Sequence, residues 1–313
     1  MQGRVLVTGA AGFIGRVTVE EFAKRGWFVR ALIRTASTEL APANSVEYVE
    51  VGDIWTVNDW SEYCRDCSVV VHLAARAHKV NEAPADQEQL FENVNCKASA
   101  NLAEGAAAAG VKRFVYVSSA GVMGDFSYRP FTELDVPAPA SAYTKSKLRA
   151  EALLNSICDR TAMELTILRP TLVYGPGNPG NLNRLLKLVK TCLPLPFCSI
   201  SDKRSLLNVS NFADVIARAA VAPNAAGRVF LVSDGEDIST SQLIRSLGVS
   251  VGRRPLLFPF PKGGLRLLAA AFGKSRDMEK MLGSFQVDSS LVRDALGLQS
   301  ISTQICIEKD RIG

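Results

Sequence analysis

The chain has 313 residues, 47% of them hydrophobic and 21% charged, with a formal net charge of +5; that is enough apolar material for one large core or two unequal domains. Its longest apolar stretches, such as Leu265 to Phe272, fall well short of the roughly 20 residues a membrane span needs, and the first strand-like run begins too near Met1 for a secretory signal, so a cytoplasmic protein is expected. Seven cysteines lack disulfide-framework spacing and fit a reducing compartment. Cys64 and Cys67 form a CxxC without a second pair or a histidine cluster at zinc-ligand spacing, which predicts solvated helix-end thiols and no metal.

The apolar run Val5 to Thr8 breaks into glycines at positions 9, 12 and 15 and then into a helical pattern from Arg16 to Arg25. A buried strand, a Gly-rich turn and a helix in that order aim a helix N-terminus at a phosphate, and small residues let the backbone approach it. Gly9, Gly12, Phe13, Ile14 and Gly15 are therefore candidate contacts of a dinucleotide. Further strand-like runs follow at Val29 to Ile33, Val46 to Val51, Val69 to Leu73, Arg113 to Ser118, Leu165 to Arg169 and Val229 to Ser233, with helical patterns such as Leu90 to Ala109 and Tyr143 to Asp159 between them. The alternation predicts an α/β fold, a Rossmann-like doubly wound parallel sheet.

The second strand ends at Ile33 and Arg34, where an acid would accept ribose hydroxyls and an arginine would pair with a 2′-phosphate, so NADP(H) is favoured over NAD. Asp53 and Ile54, after the third strand, are placed to meet the adenine. Tyr143 and Lys147 stand four residues apart in a helix opened by Ser141, so both fall on one face, where the ammonium can lower the phenol's pKa and bond a nicotinamide ribose. Ser118 and Ser119 end the preceding strand and can bring a hydroxyl to the same oxygen.

After Pro170 the rhythm weakens into Gly175-Pro-Gly-Asn-Pro-Gly180, Leu193-Pro-Leu-Pro196 and Phe258-Pro-Phe-Pro261. Such punctuation predicts loops and short helices rather than a second regular sheet. Residues 1–170 are thus expected to hold the cofactor and the catalytic groups, and 171–313 mostly the substrate, with some segments returning to the main sheet. The excess of cation lies C-terminal to residue 180 without a dense basic run or aromatic interleaving. That argues against nucleic acid; a small anionic ligand and a merely solvated basic surface both fit it.

Taken together, the glycines at 9, 12 and 15, Leu73-Ala-Ala75, Val94-Asn95 with Asn101-Leu102, Ser118-Ser-Ala-Gly-Val-Met-Gly124, Tyr143 with Lys147, Arg169-Pro170 and Val173-Tyr-Gly-Pro-Gly177 resemble the extended short-chain dehydrogenase/reductases of the nucleotide-sugar epimerase and dehydratase group. The resemblance implies that Ser119 bonds the substrate oxygen, that Tyr143 is the general acid or base, that Lys147 holds the cofactor ribose, and that Asn95 orders the active-site helix and a water. It also implies cofactor contacts at Leu73, Ala74, Ala75 and Pro170, and substrate contacts at Arg204, which matches a diphosphate-gripping arginine, and at Asn181. Arg276 is a weaker candidate for a second phosphate contact. Met123 departs from the group's usual tyrosine and Ala98 from its glycine, and His78 is open between facing the sugar and an idle loop position.

Within that group, the Ile33-Arg34 ending favours NADPH-dependent reduction, and the overall pattern, with Leu193-Pro-Leu-Pro196 before Arg204 and Phe230-Leu-Val-Ser-Asp-Gly-Glu236 after it, resembles the reductases of bacterial surface-polysaccharide (O-antigen) synthesis, which implies reduction of the C4 keto group of a UDP-4-keto-6-deoxy-N-acetylhexosamine. The alternative is an NAD-dependent UDP-hexose or UDP-N-acetylhexosamine 4-epimerase, and a third reading is a dinucleotide-sensing protein without catalysis. Dehydration is disfavoured because Ala120-Gly121, not an Asp-Glu pair, follow Ser119. The expected partner is a UDP-sugar, with no nucleic acid and no membrane insertion, and the resemblance implies a homodimer through packed helices.

Overall fold

Strand β1 (Arg4–Thr8) is buried on both faces, and its alternation decides what covers it: Val5 and Val7 enter one core, Leu6 another. The same split recurs in β4 (Val69–His72), with Val69 and Val71 against Val70, and in β5 (Arg113–Val117), with Val115 and Val117 against Phe114 and Tyr116. Strands that feed two cores must lie centrally in a sheet covered on both sides.

The computed structural model describes residues 3–35, 44–76, 84–178, 181–191, 193–271, 273, 278–279 and 282–310. Besides those three strands it has β2 (Phe28–Ile33), β3 (Val46–Glu50), β6 (Glu164–Pro170) and β9 (Arg228–Val232) in one parallel seven-stranded sheet of order β3-β2-β1-β4-β5-β6-β9. All seven strands coincide, to within a residue or so at each end, with runs legible in the sequence. Helix α1 (Phe13–Lys24) packs on the Val5 face with a later helix, Val209–Ala219, through Val19, Phe22, Phe212 and Ile216. The other face is covered by the short helix α2 (Ser61–Cys64) and by Leu102, Ala106, Leu154 and Ile157 of the helices Ala98–Ala108 and Ala142–Cys158.

Two sequence expectations are corrected here. Cys64 and Cys67 are not solvated; they are buried in the second core, where burial pushes their thiols up to about 12 and about 11. Helix α2 is a single turn ending at Cys64, and the turn after it, closed by Cys67 N–H donating to the Cys64 carbonyl at 3.0 Å, returns Cys67 to the same core. The C-terminal part also has a second sheet: β7 (Leu172–Tyr174) runs parallel to β8 (Lys203–Asn208), which pairs antiparallel with β10 (Asp237–Ser239). Its outer strands are three residues long, too short for a period of two to show.

The pattern from Leu90 to Ala109 forms as α3 (Pro84–Phe91), a π-helical turn at Glu92–Lys97, and α4 (Ala98–Ala108). Next come α5 (Ala142–Cys158), α6 (Asn181–Lys190), α7 (Val209–Ala219), α8 (Thr240–Ser250) and α9 (Lys262–Ala271). Leu186 and Val189 of α6, Ile244 and Leu247 of α8 and Leu265 of α9 build a third core around Tyr174 and Leu206. Among the described residues no helix is long and apolar enough to cross a membrane.

Candidate active site

The sheet order reverses direction at β1, whose neighbours are β2 and β4; a crevice opens at the carboxyl ends of strands at such a switch. Gly9 sits there at φ +68°, and a Cβ on it would stand 2.8 Å from the Ala74 nitrogen. A Cβ on Gly15 would meet the Gly9 carbonyl oxygen at 2.1 Å. The turn closes through Gly12 N–H donating to the Gly9 carbonyl at 2.9 Å, and Gly12 then caps α1 without any side-chain acceptor. The first-turn amides of α1 therefore face outward with no acid beside them, a cradle suited to a pyrophosphate. Phe13 and Ile14 open the helix.

At the end of β2, Arg34 Nε pairs with Asp53 Oδ1 at 3.0 Å, with side chains 72% and 50% exposed. An ion pair so well solvated contributes little. Ile54 opens the short turn Ile54–Thr56 just after it.

Ser119, Tyr143 and Lys147 meet at one cavity of about 450 Å³, together with Ile14, Leu73, Ala75 and Pro170. From the C-terminal part, Arg204 of β8 and Phe285 reach the same cavity. Helix α5 starts here because Ser141 and Thr144 form a reciprocal capping box. Ser119 Oγ accepts from Gly121 N–H at 3.1 Å, which leaves its own proton for a ligand. Lys147 Nζ donates to the Val117 carbonyl at 2.8 Å and lies over the Tyr116 ring. Thr171 Oγ1, buried at the cavity's edge, has no hydrogen-bond partner among the described residues.

Burial governs the protonation of this site. It pushes the Tyr143 phenol up to about 12 and the Lys147 ammonium down to about 7, the latter opposed by the Glu151 carboxylate. The expected lowering of the phenol by Lys147 is thus not seen, because desolvation penalises both charged forms. Arg204 is also held below its usual value by burial, and its Nη2 donates to the Gly283 carbonyl at 2.9 Å.

Asn95, 1% exposed, lies in the π turn and ties two elements together. Its Oδ1 accepts from Arg76 N–H at 2.8 Å, and its Nδ2 donates to Ser146 Oγ at 2.9 Å, next to Lys147. Behind it runs a chain that sequence reading missed. Ser99 Oγ donates to the Asn95 carbonyl at 2.7 Å, so it must accept from His72 Nε2 at 2.8 Å. His72 Nδ1 in turn accepts from Thr8 Oγ1 at 2.7 Å, and Thr8 Oγ1 takes the Ala74 N–H at 3.1 Å. A histidine inside an otherwise apolar strand was the available signal.

A second buried network also went unread: Arg169 reaches Glu151 through Nη2 at 2.6 Å and Nε at 3.1 Å, and Ser118 Oγ donates to the same carboxylate. Met123, where the resemblance expects tyrosine, is buried and offers its sulfur to Arg169 Nη1 at 3.2 Å. Asn181 opens α6, but its side chain, like Arg276 and His78 as a whole, lies outside the described residues.

The glycine cradle, the switch-point crevice and the Ser119, Tyr143 and Lys147 cavity lie together on a Rossmann-like sheet, the layout of an NAD-dependent enzyme. A family-wide sequence profile described as NAD dependent epimerase/dehydratase family matches residues 5–233, and the chain belongs to that family. A UDP-glucose 4-epimerase of Vibrio cholerae is 37% identical over 301 residues, 95% of this chain and 90% of that protein. An N-acetyl-α-D-glucosaminyl-diphospho-ditrans,octacis-undecaprenol 4-epimerase of Escherichia coli O157:H7 is 27% identical, over 85% and 78% of the two chains. Among solved structures, MoeE5 in complex with UDP-glucose and NAD superposes with a TM-score of 0.78 at 25% identity, covering 99% of this chain and 97% of the other.

Proposed function

We propose that the protein is a UDP-sugar 4-epimerase that oxidises C4 of a UDP-hexose or UDP-N-acetylhexosamine and reduces it from the other face. The carrying observation is the shared cavity, in which Ser119, Tyr143 and Lys147 of the sheet domain meet Arg204 of the C-terminal part. The extent of the similarity to the Vibrio cholerae 4-epimerase supports the reaction type.

In this reading the α1 N-terminus and Gly9, Gly12 and Gly15 hold the pyrophosphate, Leu73, Ala75, Pro170 and Lys147 flank the nicotinamide half, and Asp53 and Ile54 meet the adenine. When bound, the cofactor supplies a hydride acceptor and, in its oxidised form, a positive charge beside the phenol. Tyr143 takes the C4 hydroxyl proton and returns it, Ser119 donates its free proton to the same oxygen, and Asn95 holds the strand β4 exit to α5. Arg204, a guanidinium held in a partly desolvated wall, grips the diphosphate, with Asn181 beside the nucleotide.

A second reading, NADPH-dependent reduction of a UDP-4-keto-6-deoxy-N-acetylhexosamine, is favoured by the strand β2 ending itself, which carries Ile33 and Arg34 in place of an acid. The Asp53 pair is solvated enough for a 2′-phosphate to displace it. Incubation with UDP-galactose and NAD should yield UDP-glucose with no net cofactor turnover. Stoichiometric NADPH consumption with the 4-keto sugar, and no interconversion, would overturn the first reading in favour of the second.

A further inference from the structure

No Asp or Glu occurs between Glu164 and Asp202, nor between Asp237 and Asp277. The fold lays these two acid-free stretches side by side: Leu195 N–H donates to the Leu256 carbonyl at 2.8 Å, and Phe258 N–H returns to the Leu195 carbonyl at 3.0 Å. Leu195 is buried and Leu257 packs against the same core, so the neighbours of Leu257 along the extended segment turn outward. Leu256 is 64% exposed and Phe258 40%, and Leu193, on the adjoining stretch, is 59% exposed.

Cations border this apolar strip. Arg253 and Arg254, immediately before it, are exposed and make no ion pair among the described residues. Helix α6, which leads into Leu193, carries Arg184, Lys187 and Lys190 and no acid. The combination of solvent-facing Leu and Phe with unneutralised Arg is the composition of a surface that lies on a charged lipid interface.

We infer that this face, Leu193, Leu256 and Phe258 with Arg253 and Arg254, docks on an anionic phospholipid bilayer. The apolar side chains enter the headgroup layer while the guanidiniums meet lipid phosphates. Charge selects this occupant over a second copy of the chain, since two copies would bring their unpaired Arg253 and Arg254 guanidiniums towards one another, whereas an anionic surface attracts both arginines. The proposal is independent of the chemistry at the cavity.

The test is flotation of the purified full chain with vesicles of phosphatidylcholine containing about 30% phosphatidylglycerol, and with phosphatidylcholine alone, at about 0.1 M and about 0.5 M salt. Binding is expected only to the anionic vesicles and only at low salt. The double substitution Arg253→Ser/Arg254→Ser should weaken it about thirty-fold, from the attraction each cation makes near such a surface. Leu256→Ser/Phe258→Ser should weaken it too, while both variants keep their circular dichroism. Equal flotation with both lipids, or anionic binding that neither variant reduces, overturns the proposal. So does a loss of self-association in sedimentation caused by either variant, which would assign the face to a second copy.

Discussion

Lys147 Nζ donates a 2.8 Å hydrogen bond to the main-chain carbonyl of Val117, fastening the first turns of α5 to the end of β5. The ammonium also lies 4.7 Å from the centre of the Tyr116 ring. One buried side chain thereby ties the strand that leads into Ser118 and Ser119 to the helix that carries Tyr143.

That burial predicts a pH dependence. In the folded chain Lys147 titrates near about 7, against the usual 10.5. Between those values the unfolded chain holds a proton that the folded chain does not, so this group makes stability rise with pH over that window and fall as pH drops towards 7. Melting temperatures of the cofactor-free protein from pH 7 to 9 should climb more steeply than those of Lys147→Met. Parallel curves would show that the lysine does not carry the effect.

His72 predicts the acid side. Burial, aided by the Lys147 charge, lowers its pKa from 6.5 to about 3. As pH falls through 6.5 the unfolded chain gains a proton that the folded one refuses until about pH 3, so stability is lost across that range. His72→Gln, compared by denaturant midpoint from pH 6.5 to 4, should lose less than the unsubstituted chain over the same interval, even from a lower starting stability.

For catalysis, Tyr143→Phe should lower kcat by roughly 10²–10⁴-fold, the range for a removed general acid or base, with the fold intact by circular dichroism. Ser119→Ala should lower kcat with little change in melting temperature, because among the described residues its hydroxyl bonds only Gly121 N–H. Turnover of a UDP-sugar unchanged in Tyr143→Phe would remove the catalytic assignment.

The Glu151 and Arg169 pair is nearly fully buried, 4% and 8% exposed at the side chains. Replacing either partner alone strands a charge and should destabilise by about 3 kcal/mol or more. The double substitution Glu151→Met/Arg169→Met should lose clearly less than the sum of the two single ones in urea unfolding, the sign of direct coupling.

Arg34 separates the cofactors. If a 2′-phosphate is held at the end of β2, Arg34→Ala should raise KM for NADPH by about ten-fold or more, the value of one charge-assisted pair, and leave KM for NADH almost unchanged. Equal changes for both would leave the arginine without a role in selection.

Much of this molecule is written locally. The seven strands of the main sheet are apolar runs bounded by turns, and glycines 9 and 15 are dictated by a positive φ at Gly9 and by close backbone approaches at both that admit no Cβ. Tyr143 and Lys147 could be placed on one helix face from their spacing alone. What the chain order hides is whatever depends on residues distant in sequence meeting under low dielectric. Thr8, His72 and Ser99 become one hydrogen-bonded chain only once β1, β4 and α4 pack together. Arg204 joins the cavity only because a sheet with three-residue outer strands carries it there. Cys64 and Cys67, legible as a motif, turn out to be core, and the protonation of Tyr143 and Lys147 follows burial rather than their pairing. Sequence patterns report periodicity and steric need, which are local; desolvation is a property of everything that surrounds a group, and only the tertiary structure sets it.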